Sequence, residues 1–169
     1  METLDAIQTR RSIRKFTDKA VSDQLIEKIL RSGMTAPSAA NQQPWHFIVI
    51  RDKKILNSFP AVHKYTKMCA TADAAILVCA DTTDTEFKCF WQQDCAACTQ
   101  NMLLAIHDLG LGAVWVGVYP REEYIKSFTE MFNLPKNIVP FSLIPLGYPD
   151  QKIGKVERYD TSRIHKEKW

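Results

Sequence analysis

Ala36-Pro37-Ser38-Ala39-Ala40-Asn41-Gln42-Gln43-Pro44-Trp45 runs straight into His46-Phe47-Ile48-Val49-Ile50. The first part is small, polar and framed by prolines, the composition of a loop. The second, Trp45 to Ile50, is a short apolar run that reads as a buried strand. A rigid loop rich in donors and acceptors suits a ligand heterocycle, and equally an ordinary turn ahead of a strand. Upstream, Ser22 is a good N-cap for a helix that places Leu25, Ile26, Ile29 and Leu30 on one face, with Gly33 as its stop. Thr3 to Gln8 reads as a shorter helix. Downstream, a helix opens at Asp52 and is stopped by Pro60, and Ala74 to Ala80 is a second buried strand.

Asp94 to Leu109 carries the strongest helical pattern and is apolar nearly all round, so it lies inside the domain or against another subunit. Gly112 to Tyr119 is a valine-rich third strand. Pro120 suits the first turn of a helix through Phe132, with Tyr124, Ile125, Phe128, Met131 and Phe132 as its apolar face and Asn133 and Pro135 as its end. Phe141 to Leu146 is a fourth strand, in which Pro145 suggests an edge or a bulge. This alternation predicts a sheet covered by helices on both faces, in a single domain over residues 1–169. The tail after Tyr148 is polar and basic, yet holds Ile153, Val156, Tyr159, Ile164 and Trp169, which need a surface to lie on.

The longest unbroken apolar run, Ala74 to Ala80, is far short of the roughly 20 residues that span a bilayer. The opening Met1-Glu2-Thr3-Leu4-Asp5 is acidic and has no apolar core of a secretory signal. Five cysteines form no disulfide framework, so a reducing cytoplasm is the expected setting. The net charge of +3 is unevenly spread: Arg10 to Lys19 carries +4, Lys152 to Trp169 carries +3, and the remainder is −4. Ends that met in space would make one anion site; ends that did not would be two solvated basic segments. A nucleic-acid binder fits poorly, because the middle of the chain is acidic and no nucleic-acid motif appears.

Four segments offer chemistry. Arg10-Arg11-Ser12-Ile13-Arg14 has the arginine forks and hydroxyl that hold phosphate oxygens. The Pro37–Gln43 loop is the second. In the third, Gly110-Leu111-Gly112-Ala113-Val114-Trp115-Val116-Gly117, the dinucleotide fingerprint fails because Trp115 stands where glycine is needed. Gly110 and Gly112 cap a helix and start a strand, whereas Gly117, inside a strand pattern, marks close backbone approach to a ligand. Lys155 and Arg158 in the basic tail make the fourth. Cys95-x-x-Cys98 lies within a helix with no second pair and no histidine at matching spacing, so no metal is expected. His46 and His107 read as packed rather than catalytic. No acid–base or nucleophile set is persuasive, which points to a chain that relies on a cofactor for its chemistry.

Taken in order, Arg-Arg-Ser-Ile-Arg, Ala-Pro-Ser-x-x-Asn-x-Gln-Pro-Trp, Gly-Leu-Gly-x-x-Trp-x-Gly and the ending Arg158 to Trp169 closely resemble the FMN-dependent nitroreductase family over nearly the whole chain. The resemblance implies an α+β fold, with a mixed, mainly antiparallel sheet flanked by helices, in an intertwined homodimer with two FMN sites between subunits. The helix Asp94 to Leu109 would lie in the dimer core, and the tail from about residue 150 would cross to the partner. It places Arg10 and Arg14 at the FMN phosphate, with Ser12 by the ring or ribityl and Arg11 nearby, and Lys155 and Arg158 completing the phosphate site. Pro37, Ser38, Ala39 and Asn41 would line the isoalloxazine from the partner subunit, supported by Gln43. Val114, Trp115, Val116 and Gly117 would cover one flavin face, with an N–H near Val116 or Gly117 aimed at N5. The implied activity is ping-pong electron transfer from NADH or NADPH to a small oxidised acceptor such as a nitro compound or quinone. A flavin store or sensor without rapid turnover is the alternative. The chain is short for the family, and Asp81 to Gln93 is where a small active-site cover would sit, with Phe87, Phe90 and Trp91 as an aromatic wall or as packing.

Overall fold

In the computed structural model, which describes residues 1–83, 89–154 and 156–169, Trp45–Ile50 forms the expected strand, β1. It pairs antiparallel with β2, Ala74–Asp81, with Trp45 opposite Ala80 and Ile50 opposite Ala75. Where a buried strand was expected, β1 is an edge strand: it has β2 on one side only, His46 is exposed and Val49 is 40% exposed. β3 is Gly112–Ala113, β4 is Val116–Gly117 and β5 is Ile138–Gly147. The order is β1-β2-β5-β3, with β4 also on β5, and every one of these ladders is antiparallel. A parallel bridge between Ser12 and Ala113 makes the sheet mixed.

Pro145 was expected to mark an edge or a bulge: β5 is central, so the edge reading fails, and the irregularity appears instead as a gap in the ladder beside it. Gly112 to Tyr119 was expected to be one strand, but it is two, and Pro145 explains the break. Val114 N–H donates to Pro145 O at 3.4 Å. In an antiparallel ladder such a pair exchanges two bonds, and Pro145 has no N–H to return. The ladder therefore lapses at Val114 and Trp115 and resumes at Val116, in the same register against Leu143.

Helices cover both faces. On one side, α2 (Asp23–Met34) and α4 (Trp91–Asp108) pack on Ile76, Val78, Ile144 and Leu146. On the other, α3 (Lys53–Val62) and α5 (Glu122–Phe132) pack on Ala75, Leu77, Cys79 and Leu143. Period-2 alternation sends neighbouring residues of β2 into opposite cores, which is why this strand is apolar throughout. Ser22 caps α2 by accepting from Leu25 N–H, and Asp52 caps α3 by accepting from Lys54 and Ile55.

Gly33 is not the stop of α2. It lies inside the helix, where a Cβ would come within 2.7 Å of Met102 Cγ, so it is the point at which α2 crosses α4. Pro60 does not end α3 either: buried Leu56 and Phe59, and the bond from His63 N–H to Phe59 O (2.9 Å), hold a last turn despite the bond that proline cannot donate. α4 starts at Trp91, ahead of Asp94, and buries Cys95, Cys98, Met102 and Ile106 while leaving Ala96, Ala97, Leu104 and Ala105 half-exposed. Pro120 precedes α5 rather than opening it, and Asn133 closes that helix in the left-handed conformation (φ 48°).

α1 (Thr3–Thr9) leads into an extended segment that runs beside the chain leaving β5. Thr17 N–H donates to Tyr148 O (2.9 Å), Asp150 N–H to Lys15 O (2.9 Å), and Arg14 N–H to Gln151 Oε1 (2.8 Å). Gly112 lets this segment in, since a Cβ there would lie 2.7 Å from Ile13.

Candidate functional site

The segment Arg10–Arg14 borders two clefts. The first, about 480 Å³, lies between β4, the turn that follows α3 and the start of α5. Val114, Trp115, Val116 and Gly117, which the resemblance would set against a flavin face, line it together. Val114 N–H donates to Pro145 and Val118 N–H to Phe141, so alternation turns Val116 toward β5 and the polar groups of Trp115 and Gly117 away from it. Gly117 is exposed, a Cβ on it would meet nothing nearer than Tyr119 O at 3.8 Å, and its N–H has no partner among the described residues. Its carbonyl accepts from His63 Nε2 at 3.0 Å.

Four cations border this cleft, Arg14, Lys64, Lys67 and Arg121, and among the described residues no acid does. Lys64 Nζ lies 4.9 Å over the Tyr65 ring, and the Arg121 guanidinium lies 5.6 Å from the centre of Tyr124 and 3.6 Å from Glu123. His63 to Met68 and Arg121 were not singled out by sequence, and Tyr124 was read only as part of the apolar face of its helix. The stretch His63-Lys64-Tyr65-Thr66-Lys67-Met68 has cations and an aromatic ring side by side, but no spacing that distinguishes it from a solvated turn.

The second cleft, about 580 Å³, is bordered by Arg10, Arg11 and Arg158 with Gln8, Glu157 and Tyr159. The two basic ends of the chain therefore meet, as their charge required if they were to make one anion site. Burial, reinforced by the charges of Arg11 and Arg158, pushes the Arg10 pKa down, the mark of a guanidinium short of counter-charge. Arg11 donates to Gln8 O and Arg10 O, both at 2.7 Å, and its Nε is buried without a partner among the described residues. Glu157 spends its Oε1 on the backbone N–H groups of Arg158 and Tyr159. Arg14, expected beside Arg10, opens into the first cleft instead, while Ser12 is held in the bridge to Ala113. Lys155 lies outside the described residues.

The Pro37–Gln43 loop borders neither cleft of its own chain. It is a 3₁₀ turn over Ala39–Asn41 with Ala40, Asn41 and Gln43 at φ of 47°, 57° and 50°. Such backbone persists only when its surroundings hold it. Ser38 Oγ accepts from Gln43 N–H (3.0 Å), Gln43 Nε2 donates to Asn41 Oδ1 (2.8 Å), and buried Asp94 accepts from Ala39 N–H (3.0 Å). Pro37, Asn41 and Gln43 face outward.

Of the residues that might have formed an aromatic wall, Trp91 packs in the core against Tyr119 (4.7 Å) and Phe141 (6.0 Å), Phe90 is exposed, and Phe87 lies outside the described residues. His107 is hydrogen-bonded to Thr9 Oγ1 (2.8 Å), as expected of a packed histidine, whereas His46 faces outward on the edge strand. Burial pushes the thiols of Cys69, Cys79 and Cys98 up to about 12, and that of Cys95 higher still. No group of three or more His, Cys, Asp or Glu among the described residues is placed to hold a metal ion. No helix among them is long and apolar enough to cross a membrane.

Comparison with known proteins places this arrangement. The sequence model of the Nitroreductase family matches residues 7–72 and 59–148. A protein of Methanothermobacter thermautotrophicus, provisionally named NADH dehydrogenase/NAD(P)H nitroreductase, is 49% identical over 169 residues, covering 100% of this chain and 88% of that one. The crystal structure of a protein from Clostridium acetobutylicum, provisionally called an NADH oxidase, superposes with a TM-score of 0.94 at 46% identity, over 98% of this chain and 100% of that one. A provisionally named nitroreductase of Desulfovibrio desulfuricans, solved in complex with FMN, does so at 0.87 with 35% identity, over 100% and 98% of the two chains.

Proposed function

The chain belongs to the nitroreductase family, and on that premise we propose that it is an FMN-dependent oxidoreductase, which passes electrons from NADH or NADPH to a small oxidised acceptor such as a nitro compound or quinone. The observation that carries this is the extended segment Arg10–Arg14, whose ends reach an arginine cleft and a cleft floored by an open backbone edge. Its four steps span at most about 14 Å, a distance that one phosphorylated flavin bridges.

The residues fit the group. Arg10, Arg11 and Arg158 bring several charge-assisted donors and little counter-charge, which is what a phosphate dianion needs. Lys155 joins them in this reading on the sequence alone. Val114, Trp115, Val116 and Gly117 offer an apolar face beside an N–H with no partner among the described residues, and because the ladder uses Val116 this reading assigns Gly117 as the donor toward N5. Bound there, FMN supplies the two-electron redox chemistry that these side chains lack. Arg14 and Lys67 bring positive charge to the cleft, which favours negative charge gained on reduction. With four cations and, among the described residues, no acid at its border, the cleft favours acceptors that carry a negative group.

The site is completed by a second copy in this reading. The loop residues Pro37, Ser38, Ala39, Asn41 and Gln43 face away from their own clefts and serve the partner's. The tail from about residue 150 crosses to the partner: Tyr159 is 74% and Trp169 101% exposed in the single chain. Five free cysteines suit a cytoplasmic setting.

The test is an anaerobic titration of the purified yellow protein with each nicotinamide, followed by acceptors. Bleaching by NADH or NADPH within seconds, and parallel lines in double-reciprocal plots, are expected. Bound flavin that neither donor bleaches makes the protein a flavin store or sensor instead. A monomer at micromolar concentration that keeps its FMN overturns the shared site.

A further inference from the structure

The Pro37–Gln43 loop carries backbone strain and is tied to the rest of the chain at few points. Ala40, Asn41 and Gln43 all sit at positive φ, where a side chain is disfavoured. The ends of the loop are fixed. Ala36 and Trp45 lie in the same apolar core as α4, and Pro44 O accepts from Asp81 N–H at 2.7 Å. Its interior is bonded mostly to itself: Asn41 N–H donates to Ser38 O, Gln42 N–H to Ala39 O and Gln43 N–H to Ser38 Oγ, each at 3.0 Å. Such bonds set the shape of the turn and not its place on the body. Among the described residues, the one hydrogen bond from residues 37–43 to another element runs from Ala39 N–H to Asp94 Oδ1 on α4, at 3.0 Å.

Stability alone does not call for an aspartate there. Asp94 is 5% exposed, and its Oδ2 is buried with no partner among the described residues. A carboxylate taken out of water with so few hydrogen bonds is costly, and an apolar side chain is often no worse for the fold. Trp91, Cys95 and Cys98, its neighbours on α4, fill that apolar core. The first turn of the helix offsets part of the cost, since a helix N-terminus favours negative charge. What the carboxylate adds is an acceptor held out to the loop by a helix whose own residues are packed in the core.

We propose that Asp94 is a positioning residue: by holding Ala39 N–H it fixes the loop against α4 in the pose that meets the flavin ring of the partner subunit. The inference rests on the shared site proposed above. The Ser38–Ala39 peptide unit has its carbonyl on Asn41 N–H, inside the turn, so the turn follows Asp94 as one body.

The test compares Asp94→Leu, which keeps a branched side chain but no acceptor, with Asp94→Asn, whose amide oxygen still accepts from Ala39. Asp94→Leu unfolds in urea at no lower concentration than wild type, because the loop can turn Ala39 N–H out to water. In the FMN-free protein its Asn41 amide order parameter falls from about 0.85 to below about 0.6. Its FMN Kd rises about tenfold, the scale of one hydrogen bond. Asp94→Asn recovers most of both. An ordered loop with the wild-type Kd in Asp94→Leu sinks the inference, as does an Asp94→Asn protein as impaired as Asp94→Leu. A weaker FMN Kd that comes with a lower urea midpoint and an ordered loop marks a packing role and sinks it too. Should Asp94→Leu be too bulky to fold, Asp94→Ala takes its place, read on loop order and FMN Kd.

Mixed dimers test the shared site separately. With Asp94→Leu on one subunit and Arg10→Ala on the other, one site keeps both its arginines and its loop and binds FMN with the wild-type Kd. With both substitutions on one subunit, neither site does. The reverse pattern means that the loop serves its own subunit's flavin. That overturns the shared site, and the inference with it, even where the homodimers behave as expected.

Discussion

The cleft over Gly117 takes its walls from β4, α5 and the turn closing α3, all anchored in one apolar core, whereas the arginine cleft is closed by a tail whose own apolar groups lie in water. The first holds its shape within a single chain: His63 and Tyr124 are buried, and Val114 and Val116 are locked on the sheet side. The second brings three guanidinium groups together with little to neutralise them, and its far wall, Val156 to Tyr159, has no regular structure. Recognition of a ring can be prepared in advance by packing. Recognition of a phosphate here waits for the anion that relieves the repulsion and for a surface that covers the tail.

Four measurements separate these behaviours. The largest effect belongs to the tail. Truncation after Asp150 removes Lys155 and Arg158 and the apolar groups of the crossing, so the FMN Kd rises by about a hundredfold or more, two charge-assisted bonds being worth about 3–6 kcal/mol. The truncated chain also sediments as a monomer. A truncated dimer with unchanged affinity would erase the distinction between the clefts.

Single arginines come next. Arg10→Ala and Arg158→Ala each weaken FMN binding roughly 10- to 100-fold in fluorescence titrations. Arg121→Ala, in the other cleft, leaves that Kd within about twofold. Equal losses at all three would mean that the clefts act as one.

Acceptor charge is a smaller lever. A nitrobenzoate is expected to show a KM several-fold below that of the matching nitrobenzamide, about 1 kcal/mol of steering and attraction that fades at high salt. Lys64→Ala with Arg121→Ala removes the preference and leaves turnover of the neutral acceptor in place.

The smallest effect is on stability against pH. His63 has its folded pKa below the 6.5 of the unfolded chain, so the unfolded state takes up the proton first as pH falls. Its contribution is whole above about pH 6.5 and is lost as pH falls through the folded value, with a slope of at most about 1.4 kcal/mol per pH unit. Urea unfolding of His63→Phe is therefore less pH-dependent than that of wild type between about pH 6.5 and 5. Steeper dependence in the variant would contradict a neutral, buried ring. His107, also held below 6.5 chiefly by burial, titrates in both proteins and cancels in the difference.

What was legible in the sequence was local. Ser22 and Asp52 are caps because a side-chain oxygen reaches an N–H two or three residues on. Trp45–Ile50 is a strand because its apolar run sits between a proline-framed loop and a helix start. Asn133 ends α5 because it tolerates the left-handed conformation. The reversals all involve a partner far along the chain. Gly33 looked like a stop until Met102 lay against it, and Pro145 marked an edge or a bulge until its missing N–H proved to face the Val114–Trp115 gap. The edge position of β1 depended on which strand lay beside β2. His63 carried no signal, because its role is a bond to a carbonyl that any residue at position 117 would also possess.

By itself the sequence determined which segments become helices and strands, the family, and that positive charge gathers at both ends, since these follow from periodicity, ordered motifs and composition. Only the tertiary structure decided that the charge divides between two clefts, with Arg14 parted from Arg10, and that the loop Pro37–Gln43 turns away from both. Only it turned the Gly117 amide away from β5 and put His63 on the Gly117 carbonyl. Those outcomes depend on the register of β4 against β5 and on the path of the segment beside β3, distances that no local pattern encodes.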